Sequence, residues 1–168
     1  MRTLTFTNAY PEDVRTEIVG GEEDPFLLAD LKLEWLAKDW HVLVHDDGRV
    51  VAHVGLVRAH VHAGDERVEV GGYGGVLTKA SERGKGHARA ALDVADEQLR
   101  AWGVAFGFLF CRPQLVPYYS ALGWQELAEP VQVQQSSGPI VFPKSAMVKP
   151  LADRAWPSGP VRLEGLPW

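Results

Sequence analysis

Apolar and polar residues follow two different periods along this chain, and the changes of period mark its elements. From Ala88 to Trp102 the apolar positions Ala88, Ala91, Leu92, Ala95, Leu99 and Trp102 recur at spacings of three and four, with Arg89, Asp93, Asp96, Glu97 and Arg100 on the other faces. This is an amphipathic helix, and Gly103 ends it. Val104 to Cys111 is a short apolar, aromatic run, the pattern of a strand buried on both faces. The helix before it predicts that this strand lies parallel to the one preceding the helix. His41 to Val44 and Arg49 to Val61 flank the turn signal Asp46-Asp47-Gly48 and read as neighbouring antiparallel strands. A second turn, Ala63-Gly64-Asp65-Glu66, leads into Arg67 to Thr78, where Val68, Val70, Val76 and Leu77 surround Gly71-Gly72-Tyr73-Gly74-Gly75. Four glycines weaken a strand unless a bulge or the close approach of a ligand requires them.

Two further helices are expected. Asp24 to Leu36 carries Phe26, Leu27, Leu31, Leu33 and Trp35 behind an Asp24-Pro25 start that resembles an N-cap with a first-turn proline, and is read as a helix near a pocket rim. Pro113 to Leu122 reads as a short helix stopped by Gly123. Beyond Ala128, prolines at positions 130, 139, 143, 150, 157, 160 and 167 leave room for short edge strands and extended segments.

Composition narrows the picture. With 168 residues and 46% hydrophobic content the chain has the material of one domain with a substantial core, expected over residues 1–168. The net charge of −5, with acidic and basic residues interspersed, excludes the basic face of a duplex-binding protein and suits free amines better. Cys111 is the only cysteine, so an internal disulfide and a cysteine-based zinc site are excluded. With no signal pattern between Met1 and Tyr10 and no apolar run of membrane-spanning length, the expectation is a cytoplasmic protein with no membrane partner.

The candidate chemistry starts at Arg83-Gly84-Lys85-Gly86-His87-Ala88, a glycine-rich turn opening the amphipathic helix. Free N–H groups in a helix's first turn, with the positive end of its dipole behind them, favour an anionic oxygen. Gly84 and Gly86 let such an oxygen come close, and Arg83 adds a forked donor for phosphate. A P-loop is excluded because Gly86, not Ser or Thr, follows Gly84-Lys85; the dinucleotide fingerprint fails because its third glycine is replaced by Arg89.

The order of strand, Arg-Gly-x-Gly-x-Ala turn, amphipathic helix, buried strand and Tyr119-Ser-Ala-Leu-Gly123-Trp124 resembles the GNAT superfamily of N-acetyltransferases. Arg83, Gly86 and Ala88 match that family's pyrophosphate motif, and the second segment matches its Tyr-x-x-x-Gly-Phe/Trp motif. The resemblance implies an α/β (α+β) fold: a mixed, mostly antiparallel central sheet flanked by helices, with a splayed parallel strand pair holding acetyl-CoA. The core motif region would be 41–127 and the proline-rich segment 128–168. It implies that the backbone of Val76, Leu77 and Thr78 bonds the pantetheine arm and that Arg83, Gly84, Lys85, Gly86, His87 and Ala88 hold the pyrophosphate. Acetyl-CoA would be the co-substrate, with no metal, and the acceptor a small-molecule or peptide amine; a homodimer is compatible with it.

Transfer to an amine needs a base for the ammonium proton, since an alkylamine with a pKa near ~10.4 is mostly protonated at neutral pH, and an acid for the departing thiolate. By resemblance Tyr119 is the acid. Gly74 stands where relatives often carry a glutamate base, so His53, on a strand face with Val51, Gly55 and Val57, is the candidate base or water-positioning group. Cys111 sits among Phe108, Leu109 and Phe110, a setting for a core thiol and not a nucleophile. The chain's end also resembles, loosely, the aminoglycoside 2′-N-acetyltransferases of the same superfamily, which implies that Trp168 lines the amine pocket. The rival expectation is a non-catalytic module that binds an acyl-CoA as a regulatory ligand.

Overall fold

The elements of the computed structural model, which describes every residue from Met1 to Trp168, follow the predicted changes of period closely from residue 40 to residue 123. They are, in chain order, β1 (Arg2–Thr7), α1 (Glu12–Val19), β2 (Trp40–Asp46), β3 (Arg49–Ala63), β4 (Glu66–Thr78), α2 (His87–Ala101), β5 (Phe106–Cys111) and α3 (Val116–Ser120). Five short strands complete the fold: β6 (Gln125–Glu126), β7 (Val131–Val133), β8 (Ile140–Val141), β9 (Ser145–Pro150) and β10 (Val161–Leu163). The chain divides into two compact units, residues 1–32, 38–56 and 74–98 in one and residues 33–37, 57–73 and 99–168 in the other.

In the first unit the predicted hairpin forms around Asp47 and Gly48, whose φ values of 46° and 78° give the left-handed turn that suits twisted strands. β2 pairs antiparallel with β3, a register shift between Val44 and His45 interrupting the ladder, and β1 adds antiparallel to β2. α1 follows Pro11 and ends at Gly20, whose φ of 65° makes a left-handed cap. Ile18, Leu43, Val50 and Leu77 form this unit's core, with Tyr10, Val14, Val19 and Phe26 against it. The predicted helix over 24–36 does not form; only a 3-10 turn, Ala29–Leu31, is present. The Asp24 carboxylate accepts the N–H groups of Leu28 and Ala29, both at 3.0 Å, and Leu27 and Lys32 turn left-handed at φ 53° and 47°. Two left-handed residues within six positions stop a helix that the capping signal alone would start.

The second unit carries the strand order β6-β9-β5-β4-β3-β10-β7-β8. β5 runs parallel to β4 over three pairs, Gly71 with Gly107, Gly72 with Phe108 and Tyr73 with Leu109, as the helical crossover predicts. β10 and β7 are also parallel, whereas β5–β9, β6–β9, β7–β8 and β10–β3 are antiparallel. The sheet is mixed and mostly antiparallel, with helices flanking it. Its core gathers Val57, Val68, Val70, Phe106, Phe108, Phe142 and Trp168, among others. Two of the strand glycines are required by this packing: a Cβ at Gly71 would overlap Leu99, and one at Gly72 would overlap the Trp168 indole. No helix is long and apolar enough to cross a membrane.

Candidate active site

The phosphate-type loop lies in the first unit, between the 3-10 turn Ala80–Glu82 and the start of α2. Gly84 and Gly86 have φ of 80° and 78°, and a Cβ at either would meet nothing within 4 Å. Backbone conformation, and not crowding, therefore demands glycine here. α2 begins with no acidic residue in its first turn, so no carboxylate of its own occupies the N–H groups there. The loop is held from three sides. Arg83 donates to Glu22 Oε1 at 2.7 Å and to the Thr78 carbonyl at 3.2 Å, Arg2 donates to the Lys85 carbonyl at 2.9 Å, and Lys85 pairs with Glu82 at 2.7 Å. Of the residues ahead of the loop, Leu77 is buried in the first core while Val76 and Thr78 are half-buried.

A histidine pair occupies the same unit. His53 Nδ1 lies 2.7 Å from the carbonyl of Gly75, and its Nε2 lies 2.9 Å from Nδ1 of His41. A carbonyl only accepts, which assigns the proton to His53 Nδ1, the lone pair to its Nε2 and a proton to His41 Nδ1. Both ring nitrogens of His53 are thereby engaged. Tyr10 stacks on the ring at 4.0 Å and 3°. Burial is the main reason that the His53 pKa falls to about 3, with His41, Lys38 and Arg15 adding to it against the opposing Gly75 bond. His41 and Lys38 are lowered as well, each chiefly by burial. Gly75, whose carbonyl His53 Nδ1 faces, is left-handed at φ 58°, a conformation that favours glycine. The stem of Lys38 packs over Gly55, and a Cβ there would come within 2.5 Å of Lys38 Cγ.

In the second unit Tyr119 sits on α3, 5% exposed, with its ring edge-on to Trp124 and Tyr118. Burial, aided by Cys111 and Tyr118, raises its phenol well above the ordinary 10. Cys111 is buried and its thiol is pushed up to about 11, by burial first and Glu126 second, against the pull of Arg112. A thiol so placed stays protonated and inert. Trp168 is 4% exposed; its Nε1 donates to the Tyr73 carbonyl at 3.2 Å and its ring meets Phe108 and Phe110. The indole is thus engaged in core packing.

The family profile of the acetyltransferase (GNAT) domain matches residues 14–127 of this sequence, which takes in the hairpin, the glycine loop, α2, β5 and the Tyr119 segment. The chain belongs to the GNAT acetyltransferase family. Its fold agrees with solved GNAT structures. The GNAT family N-acetyltransferase YhbS from Escherichia coli, in complex with CoA, is 19% identical with a TM-score of 0.63, over 98% of this chain and 94% of that one. The ribosomal-protein-S18-alanine N-acetyltransferase from Escherichia coli is 15% identical with a TM-score of 0.56, over 91% and 97%. N-acetylglutamate synthase from Neisseria gonorrhoeae, complexed with coenzyme A and N-acetyl-glutamate, is 11% identical with a TM-score of 0.57; the match spans 89% of this GNAT chain and 35% of that one. No curated protein matches the sequence.

Sequence reasoning missed Tyr10 and Lys38 beside His53, and Asp46 and Glu82 beside His87. Glu82 could have been found from its position one residue before Arg83. Tyr10 and Lys38 reach His53 from outside the local pattern and left no signal.

Proposed function

We propose that this GNAT protein is an N-acetyltransferase that passes the acetyl group of acetyl-CoA directly to a primary amine of a small molecule or peptide. The observation that carries this reading is the open loop Arg83–Ala88, with left-handed glycines facing free space at the start of α2. Anionic oxygens suit that loop through backbone N–H groups and the helix dipole. In this reading Arg83, Gly84, Lys85, Gly86, His87 and Ala88 hold the pyrophosphate, and Val76, Leu77 and Thr78 offer backbone to the pantetheine arm. Tyr119 is the acid for the departing thiolate, its phenol being protonated at neutral pH.

His53 takes a positioning role in the reaction. With one nitrogen on Gly75 and the other on His41, it has no free lone pair for an ammonium proton, and it fixes the carbonyl of Gly75 instead. Proton removal then falls to water or to the amine's own free-base fraction. In this reading Trp168 borders the amine pocket from the core, its Nε1 held on the Tyr73 carbonyl. Cytoplasmic placement accords with the single, buried Cys111.

Calorimetric titration with acetyl-CoA, followed by a CoA-release assay over a broad amine panel, tests this. Saturable binding is expected, weakened about tenfold or more in Arg83→Ala, which removes both a phosphate donor and the Glu22 tether. Absence of binding by the intact protein refutes the reading. Binding without CoA release from any amine favours the non-catalytic acyl-CoA module, for which the engaged His53 and the missing side chain at Gly74 already speak.

A further inference from the structure

Three side chains of metal-ligating type converge beside the glycine loop, and the acetyl transfer proposed above uses the backbone of one of them, His87, but none of the three side chains. Asp46 ends β2, Glu82 closes the 3-10 turn and His87 opens α2, and one ligand atom from each lies within 4.8 Å of the other two. His87 is 2% exposed, yet neither Nδ1 nor Nε2 has a hydrogen-bond partner. A buried polar group left unpaired costs about 1–3 kcal/mol, so such an imidazole calls for a physical reason. Its Nε2 faces Glu82 Oε2 at 3.6 Å. That is too long for a hydrogen bond and close to the roughly 3.4 Å between two ligands of one tetrahedral ion with bonds of about 2.0–2.1 Å.

We propose that Asp46, Glu82 and His87 bind one divalent transition-metal ion of the zinc class. The donor set selects the class: an imidazole nitrogen disfavours magnesium and calcium, which prefer oxygen alone, and the absence of a thiolate disfavours softer ions. Three protein ligands leave a fourth position for water. Two single positive charges now serve these carboxylates: Lys85 Nζ lies 2.7 Å from Glu82 Oε2, and the Met1 amine lies 3.6 Å from Asp46 Oδ1. Both cations are more than half exposed and can swing into water when a doubly charged ion takes their place. Because Glu82 and His87 stand on either side of Arg83–Gly86, an ion bound to both closes the base of the loop. The ion's role in this proposal is to fix the loop, and the site stands whether or not acetyl-CoA is the loop's ligand.

The test uses the full chain without a polyhistidine tag, stripped with a chelator and titrated with ZnCl2 by calorimetry and with CoCl2 by visible absorption. Binding of one ion per chain is expected, with cobalt ligand-field bands that zinc abolishes. Asp46→Asn and Glu82→Gln should each weaken zinc at least about tenfold. Asp46 is exposed enough for its substitution to leave folding intact, which circular dichroism checks, so the outcome does not depend on the buried His87. Failure to bind zinc saturably below ~100 µM, or binding that both substitutions leave unchanged, overturns the proposal and reduces His87 and Glu82 to an ion pair.

Discussion

Tyr119 and Arg83 are the residues on which the proposed chemistry turns. Tyr119 is buried and its phenol holds its proton throughout the physiological range, as an acid for a departing thiolate must. Tyr119→Phe keeps the ring contacts with Trp124 and removes only the proton, so kcat should fall about a hundredfold while KM for acetyl-CoA changes little. Steady-state kinetics with any amine that turns over checks this, and an unchanged kcat removes the acid role. The loop itself was legible because its signal is local: two glycines, an arginine and a helix start lie within six residues. The setting of His53 was not. Its neighbours His41, Tyr10 and Gly75 come from three separate segments, and the deciding fact is which lone pairs they use.

At the scale of elements, one bulge decides that setting. Near the turn, His45 pairs with Val50 and Asp46 with Arg49; beyond the shift at Val44 the register changes by one, so that His41 pairs with Gly55 and Leu43 with His53. Because side chains alternate, His41 and His53 share a face only on account of that shift. The alternation and the Asp47-Gly48 turn were readable as a hairpin, whereas the extra residue carries no sequence mark. The same limit explains the segment 24–36, where Asp24 caps a turn that two left-handed residues then stop. In the second unit, packing requires two of the strand glycines. A Cβ at Gly72 would overlap the Trp168 ring and stand 2.6 Å from Val57 Cγ2, neither of which can retreat from a filled core. Gly72→Ala is therefore expected to destabilise the protein by about 1–3 kcal/mol in urea unfolding, and an unchanged midpoint with an unchanged slope argues against this overpacking.

For the molecule as a whole, acid should be more damaging than the net charge alone suggests. The folded pKa of His53, about 3, lies below its ordinary 6.5, so the unfolded chain takes up the extra proton. Its contribution to stability is complete above pH 6.5 and is lost as pH falls towards 3, at up to about 1.4 kcal/mol per unit. Glu164, lowered to about 2 mainly by its bond from Arg67, acts in the same direction further down, from about pH 4.5. Thermal unfolding between pH 7 and pH 4 should show a falling Tm, and His53→Gln should flatten that slope; an equally steep slope in the variant rules out His53 as its source. The agreement of the family profile with the sequence reading shows how much of the molecule rests on local signals: the loop, α2 and the β4–β5 pair are each written in consecutive residues. The short strands after residue 124 depend on distant partners, and their prolines revealed only what they avoid. The fit of Trp168 into the space above Gly72 also bears on descent. A lineage that lost the indole would inherit a hole that glycine cannot fill, and one that first acquired a side chain at position 72 would have no room for the indole. Each change is costly without the other, so the two positions, 96 residues apart in sequence, should be inherited and exchanged as a pair, tryptophan in this place occurring among relatives together with glycine on the strand beneath it.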